Sequence, residues 1–142
     1  MSNDYRHLIE RFLVHWNQGD YTDFSEIYHT DFEFCMPGTA QSLGIMEYED
    51  WIDSMRRAYP DLKIVIYAEL NCDNKIALQW PFTGTNEGKL RHSPAAHKQV
   101  ELPGMTLFHL QDGQIWRAQW FYDVIAVYRQ LGRTPSIFLD TA

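Results

Sequence analysis

The dipeptide Asp112-Gly113, with a long alternating run on each side, is the feature of this 142-residue chain that most restricts its fold. Asp-Gly readily adopts the positive φ values of a two-residue hairpin turn, so it joins two neighbouring antiparallel strands. A regular ladder around this turn pairs Leu110 with Ile115 and then His109 with Trp116. The sequence therefore predicts a long β-hairpin in the last third of the chain.

The regular ladder divides the hairpin side chains between two faces, because successive side chains of a strand alternate. It places one set on the face opposite His109: Arg117, Gln119, Phe121 and Asp123. The other face carries Trp116 and Trp120. Both faces are rich in apolar residues, so we expect the helices to cover one of them. A second subunit would cover the outward aromatic face, which in this register includes Trp116 and Trp120.

The N-terminal half of the chain shows helical spacing. Apolar residues repeat at three and four positions from Tyr5 to Trp16, and His15 falls beside this stripe, where it would be at or near the surface. A short helix is expected around Phe24 to Tyr28, and a third from Ile45 to Tyr59, ended by Pro60. Residues 31–36 between them have the pattern of a strand.

The segment after Pro60 changes to the two-residue period of strands. Residues 62–70 and 76–82 alternate, with a turn at 71–74, and residues 84–97 form a turn-rich loop with a short strand near 89–91. Helices followed by strands predict an α+β fold, with N-terminal helices packed on a curved antiparallel sheet. We expect a single domain over residues 1–132 and a tail over 133–142.

Composition and charge exclude several classes of function. The net charge is −7 and the 12 Lys and Arg residues form no run, which argues against nucleic-acid binding. Aromatic residues make up 15%, enough to line a cavity for a hydrophobic small molecule. Cys35 and Cys72 lack the spacing of a disulfide framework or a metal site, and no stretch approaches a membrane span. These features predict a soluble, cytoplasmic protein without a metal.

Four motifs, in chain order, carry a family resemblance: Trp16-Asn17-Gln18, Tyr59-Pro60-Asp61-Leu62, Thr83-Gly84-Thr85-Asn86-Glu87-Gly88, and Asp112-Gly113-Gln114-Ile115 followed by Asp123 and Gln130-Leu131-Gly132. Together they resemble the SnoaL-like polyketide cyclase group, which has the NTF2-like cone fold. The resemblance implies that Asp123 is the general acid/base of a cofactor-free, aldol-type ring closure and that His109 is a polar group of the same pocket. The chain departs from the family pattern at Asn86, His92 and Ala96-His97.

The sequence context of Asp123 fits two roles. Burial beside Trp120, Phe121 and Tyr122 would raise the carboxyl pKa from about 3.9 and make it a better base. Alternatively, Asp123 only caps the helix predicted over 124–130. In the regular ladder Asp123 and His109 lie on opposite faces, and a β-bulge between Gln119 and Asp123 would bring them to the same face.

The remaining predictions concern the pocket and its use. The residues that we expect to contact a ligand are Gln119, Arg117, Phe121, Trp16, Trp51, Tyr59 and Phe34. Arg117 and Gln119 would orient a ligand carbonyl, unless Arg117 instead pairs with Asp123.

The alternative function is a non-catalytic ligand-binding or association domain. Ketosteroid isomerase-like activity is disfavoured because Met36 stands where those relatives place their base. Epoxide hydrolase-like activity lacks a second aspartate. We expect a homodimer.

Overall fold

A computed structural model describes residues 4–91 and 93–133. These residues form four helices and seven strands in the following order: α1 Asp4–Gln18, α2 Phe24–Ile27, β1 Tyr28–Cys35, β2 Ser42–Leu43, α3 Ile45–Ala58, β3 Lys63–Ile64, β4 Ala68–Cys72, β5 Lys75–Thr85, β6 Gln99–Gln111, β7 Gln114–Tyr122 and α4 Val124–Gln130. The predicted tail, apart from Arg133, lies outside the described residues.

The strands form one curved, open sheet in the order β2-β1-β7-β6-β5-β3, with β4 also paired to β5. The pairing of β1 with β7 is parallel, and the other pairings are antiparallel. The predicted α+β fold is confirmed. Since β1 lies beside β7, the N-terminal helices pack against the sheet face that the C-terminal hairpin helps to form.

The core lies between the helices and the concave face of the sheet. On β5 the alternating residues Ile76, Leu78, Trp80 and Phe82 are all buried, as their two-residue period predicts. Phe12 of α1 packs edge-on against Phe108 of β6, with ring centroids 5.2 Å apart. The apolar stripes of α1 and α3 therefore serve as the helical half of the core.

Four local predictions are wrong. The continuous strand predicted over 62–70 is broken into β3 and β4. Tyr28, expected in the second helix, begins β1. The strand predicted near 89–91 is only an isolated bridge between Leu90 and Ser93. His15, expected at or near the surface, is fully buried.

The hairpin turn forms as predicted, but the ladder beyond it is not regular. Asp112 and Gly113 have φ values of 54° and 78°, and Leu110 pairs with Ile115. The register then shifts, and His109 pairs with Arg117 rather than with Trp116. Trp116 is thus the extra residue of a β-bulge. The predicted pairing of His109 with Trp116 is wrong, as is the suggested bulge near Asp123.

The bulge exchanges the two faces of β7 from Arg117 onward, because one inserted residue reverses the alternation. Ala118 and Trp120 now face the core, where both are buried. Gln119 and Phe121 point to the convex face, together with His109, whose side chain contacts Gln119. The prediction that Trp120 faces outward is therefore wrong.

Candidate functional site

A cavity of about 200 Å³ opens between the helices and the concave face of the sheet. It is enclosed by helices α3 and α4, by the inner residues of strands β5, β6 and β7, and by the loop residues Asn86, Leu90 and Ser93. Its most deeply buried lining residues include Trp16, Trp80 and Trp120, and its half-buried rim includes Tyr122 and Tyr128. A mainly apolar cavity with a few polar groups is typical of a small-molecule site.

The three tryptophans differ in how their indole N–H groups are satisfied. Trp16 donates to the Tyr48 hydroxyl at 3.0 Å, and Trp80 donates to Thr106 Oγ1 at 2.8 Å. The N–H of Trp120 has no hydrogen-bond partner among the described residues, although the residue is only 6% exposed. Trp120 is therefore the lining tryptophan that has an unused donor.

The rim of the cavity carries hydroxyl groups and a cation. Tyr59, Tyr122 and Tyr128 line it together with Arg133. Burial raises the pKa of Tyr59 and of Tyr122, so both phenols are protonated donors at neutral pH. Among the described lining residues, Arg133 is the charged one, and neither a carboxylate nor an imidazole is present.

The loop that departs from the family pattern is held by Asn86, which is buried at the cavity wall. Its Nδ2 donates to the carbonyl oxygens of Ala58 at 3.3 Å and Gly88 at 3.0 Å. Its Oδ1 accepts from the Ala96 N–H at 2.7 Å. Since both ends of the amide are engaged within the loop, Asn86 shapes the wall.

The structure separates the predicted ligand-contacting residues into two groups. Trp16, Trp51 and Tyr59 line the cavity. Phe34 is fully buried and packs against Trp120, with ring centroids 5.7 Å apart, but it does not line the cavity. The other three predicted contacts, Arg117, Gln119 and Phe121, lie on the convex face and line a second depression of about 220 Å³, which shares Met36 and Trp120 with the cavity lining.

Asp123 caps α4, as one of its two readings predicts. Its Oδ1 accepts the Ala126 N–H at 3.1 Å, and the residue is exposed. It stands between Tyr122 and Val124, which both line the cavity. Arg117 does not pair with it and instead lies 3.9 Å from Glu33. The cap is confirmed, and the acid/base role of Asp123 stays a prediction.

His109 lies on the convex face, across the sheet from the cavity. Its Nε2 is 3.2 Å from Gln119 Oε1, and its ring is 5.5 Å from that of Trp116. His109 therefore does not line the cavity, and its implied role as a polar catalytic group stays a prediction. The polar depression beside it includes Cys35, whose thiol is free.

A chain of buried hydrogen bonds connects the cavity wall to the surface. Beyond the Trp16–Tyr48 bond, the hydroxyls of Tyr48 and Tyr28 are 3.3 Å apart, and Tyr28 is 3.1 Å from His15 Nδ1. His15 Nε2 lies 2.8 Å from Asp23 Oδ1. One connected polar path therefore crosses the core between α1, α3 and β1.

Burial lowers the pKa of His15, although Asp23 acts in the opposite direction. Burial alone would raise the pKa of Asp23, but hydrogen bonds from Arg11 and His15 outweigh it and hold that pKa below its usual value. At neutral pH the arrangement is thus a neutral imidazole that donates to an ionised carboxylate, which also accepts from Arg11.

The comparisons with known proteins agree with this architecture. The model of the SnoaL-like polyketide cyclase family matches residues 6–131. The chain belongs to this family. No curated protein matches the sequence.

Among solved structures, a SnoaL-like protein from Jannaschia sp. CCS1, described as a putative polyketide cyclase, is 22% identical and has a TM-score of 0.84 over 94% of each chain. TsrD from Streptomyces laurentii is also 22% identical, with a TM-score of 0.81 over 93% of this chain and 97% of that one. IdmH from Streptomyces antibioticus, described as a putative polyketide cyclase, is 18% identical, with a TM-score of 0.76 over 89% and 97%. At these identities the likeness establishes the fold.

Several lining residues of the cavity in this SnoaL-like chain were not predicted from the sequence. Trp80, Tyr122 and Tyr128 line it but were not predicted as ligand contacts. The alternation that buries Trp80 was visible in the sequence, whereas the inward position of Tyr122 depends on the bulge.

Within residues 4–91 and 93–133, no group of three His, Cys, Asp or Glu side chains could hold a metal ion. None of the described helices is long and apolar enough to cross a membrane.

Proposed function

We propose that this SnoaL-like chain binds a hydrophobic, oxygenated small molecule in the cavity and acts on it by cofactor-free general acid/base chemistry, such as aldol-type polyketide cyclisation. The observation that carries the proposal is the apolar cavity of about 200 Å³ with its sparse tyrosine, tryptophan and arginine donors, in a chain of this family. Such a lining suits a flat molecule that presents oxygen acceptors.

The proposed reaction needs few catalytic groups. A base removes a proton from a carbon between two carbonyls, the resulting enolate carbon forms a bond to a third carbonyl carbon, and the new alkoxide oxygen takes up a proton. Because the first proton is already acidic, one carboxylate suffices. Tyr122, whose burial raises its pKa and keeps it protonated, is the lining donor next to Asp123 in the chain and suits the developing enolate oxygen.

Asp123 is the base that we propose. Its carboxylate uses Oδ1 for the helix cap, while Oδ2 has no hydrogen bond among the described residues. Since its chain neighbours Tyr122 and Val124 line the cavity, the acidic carbon of the ligand would lie at the rim. A role for His109 or Gln119 would instead require a ligand in the convex-face depression.

Asp123→Asn tests the base without disturbing the cap, since Asn and Asp cap helices about equally well. The assay is exchange of the acidic proton of a bicyclic aryl β-ketoester with D₂O, followed by NMR and corrected for the buffer rate. We expect Asp123→Asn to lose about 10²–10⁴-fold of the catalysed rate. Exchange that survives within about tenfold would exclude Asp123 as the base. Asp123→Ala, which also loses the cap, should in addition cost about 1 kcal/mol of stability.

A second candidate is a non-catalytic binding domain. It is favoured by the described cavity lining, which contains no carboxylate or imidazole. In that case the β-ketoester should bind equally to the parent protein and to Asp123→Asn, with no exchange above the buffer rate in either.

We also propose that the chain forms a homodimer through its convex face. Met105 and Phe121 are paired across β6 and β7 on this face, and they are 45% and 52% exposed. Large apolar side chains exposed side by side indicate an interaction surface. Symmetric pairing of this face would cover both copies at once.

A further inference from the structure

Trp120 is the feature of the cavity that a purely structural role does not explain. Of the three deeply buried tryptophans in the lining, Trp16 and Trp80 have hydroxyl acceptors, at Tyr48 and Thr106. The Trp120 N–H has none among the described residues, and its nitrogen is buried. Buried donors without an acceptor are rare in folded proteins, because the lost hydration is not replaced.

The aromatic rings packed around Trp120 carry no oxygen acceptor for its N–H. Its ring lies 4.7 Å from that of Trp16, 4.8 Å from that of Trp80 and 5.7 Å from that of Phe34, measured between centroids. These side chains offer aromatic carbon and, in the two indoles, further donors. An acceptor for this N–H must therefore come from outside this cluster.

We propose that the indole N–H of Trp120 donates a hydrogen bond to one carbonyl oxygen of the ligand, which makes Trp120 a specificity-determining residue of the site. The inference rests on the proposed binding of an oxygenated molecule in the cavity. The ligand group that carries this oxygen faces a wall formed by the tilted rings of Trp16, Trp80 and Trp120, so it is apolar, as in an aryl or conjugated ketone. In these low-dielectric surroundings the bond is stronger than it would be in water.

Two probes of matched shape test this assignment. In 2-acetylnaphthalene a carbonyl oxygen stands where 2-isopropenylnaphthalene has a CH₂ group, so the pair differs in the acceptor alone. We expect the protein to bind the ketone about tenfold more tightly than the alkene, as one hydrogen bond to a buried donor allows. Trp120→Phe, which keeps an aromatic ring and removes the N–H, should bind the two probes about equally.

Trp116→Phe is the control for the substitution itself. Trp116 packs against His109 and is not part of the cavity lining, so this variant should keep the preference for the ketone. The fluorescence of the remaining tryptophans reports binding in each protein.

The NMR signals of the tryptophan indole protons give a second readout that does not depend on a variant that folds well. We expect the ketone, and not the alkene, to shift the Trp120 indole proton downfield. The competing explanation for the missing oxygen acceptor is a contact from the Trp120 N–H to the face of an aromatic ring, since the rings of Phe12 and Phe34 stand at 65° and 78° to that of Trp120.

The outcomes separate this inference from the proposed function. Equal affinity of the parent protein for both probes, or a Trp120 signal that stays in place when the ketone binds, overturns the assignment of Trp120 and leaves ligand binding in the cavity intact. Binding of neither probe overturns both. A preference for the ketone that disappears in Trp120→Phe alone supports the assignment.

Discussion

Replacing His15 by Phe should destabilise the fold, because it removes the acceptor of a buried tyrosine hydroxyl and a donor to the Asp23 carboxylate. Asp23 is ionised and can only accept, so His15 donates to it through Nε2, 2.8 Å away. His15 Nδ1 is then an acceptor for Tyr28 at 3.1 Å. Tyr48 in turn donates to Tyr28 and accepts from Trp16. Each hydroxyl and each ring N–H of this hydrogen-bonded series therefore has an acceptor.

The cost follows from counting the groups that lose a partner. In His15→Phe, two tyrosine hydroxyls retain a single acceptor between them, and one hydrogen is unpaired. Tyr28→Phe leaves two unpaired groups, the Tyr48 hydroxyl hydrogen and His15 Nδ1. The double variant leaves only the Tyr48 hydrogen. At about 1–3 kcal/mol for each buried unpaired group, the double variant should be more stable than additivity predicts by at least ~2 kcal/mol.

Urea unfolding of the four proteins, followed by circular dichroism, measures this coupling. The Asp23 bond is lost in both proteins that lack His15, so its contribution cancels from the cycle. Free energies that add within about 0.5 kcal/mol would refute the connected chain, because independent sites behave in that way.

The pH dependence of stability gives the same variant a second readout. Because burial lowers the pKa of His15, the folded state stays neutral while the unfolded state takes up a proton near pH 6.5. Stability is therefore fully present above that pH and is lost as the pH falls from about 6.5 through the folded pKa. Asp23, Arg11 and Asp20 face the imidazole, and Asp23 limits this loss. His15→Phe should lose less stability than the parent between pH 7 and 5, and parallel curves would contradict this.

Three further substitutions test other parts of the structure. A Cβ at Gly104 would lie 2.5 Å from Trp80 Cη2, so Gly104→Ala should displace that ring and cost about 1–3 kcal/mol; an unchanged urea midpoint would contradict the close packing. Asn86→Ala removes the acceptor of the Ala96 N–H, so hydrogen exchange at that amide should accelerate, and an unchanged rate would show that the loop does not need the amide. Phe121→Lys should convert the proposed dimer to a monomer in light scattering, whereas a parent protein that is already monomeric would exclude the dimer.

Much of the fold follows from local sequence signals. The helix predicted over 124–130 forms over those residues, because Asp123 supplies an N-cap where the strand ends. Helix α3 ends two residues before Pro60, close to the predicted limit. The hairpin turn follows from Asp112-Gly113. Each of these features depends on a few neighbouring residues, which sequence reasoning can weigh.

The division of the hairpin between its faces could not be obtained from alternation alone. A regular ladder would have put Arg117 and Gln119 on the face of buried Phe108, against the core. The bulge at Trp116 turns both polar residues outward and brings Ala118 and Trp120 inward. The cost of burying an arginine and an amide was thus a signal of the bulge. It was obscured because the aromatic residues of β7 make both of its faces apolar.

The bulge also sets a requirement for the proposed reaction. Trp120 lies in β7 and Asp123 follows the last residue of that strand, so at about 3.3 Å per residue roughly 10 Å of main chain separates them. We therefore expect the indole N–H and the carboxylate to act on different parts of the ligand. A ligand turned over at Asp123 and held by Trp120 then carries a further carbonyl at the far end of its aromatic part. Adding that carbonyl to the aryl β-ketoester should therefore increase proton exchange in the parent protein and leave the rate in Trp120→Phe unchanged, and an equal increase in both would show that the two positions act independently.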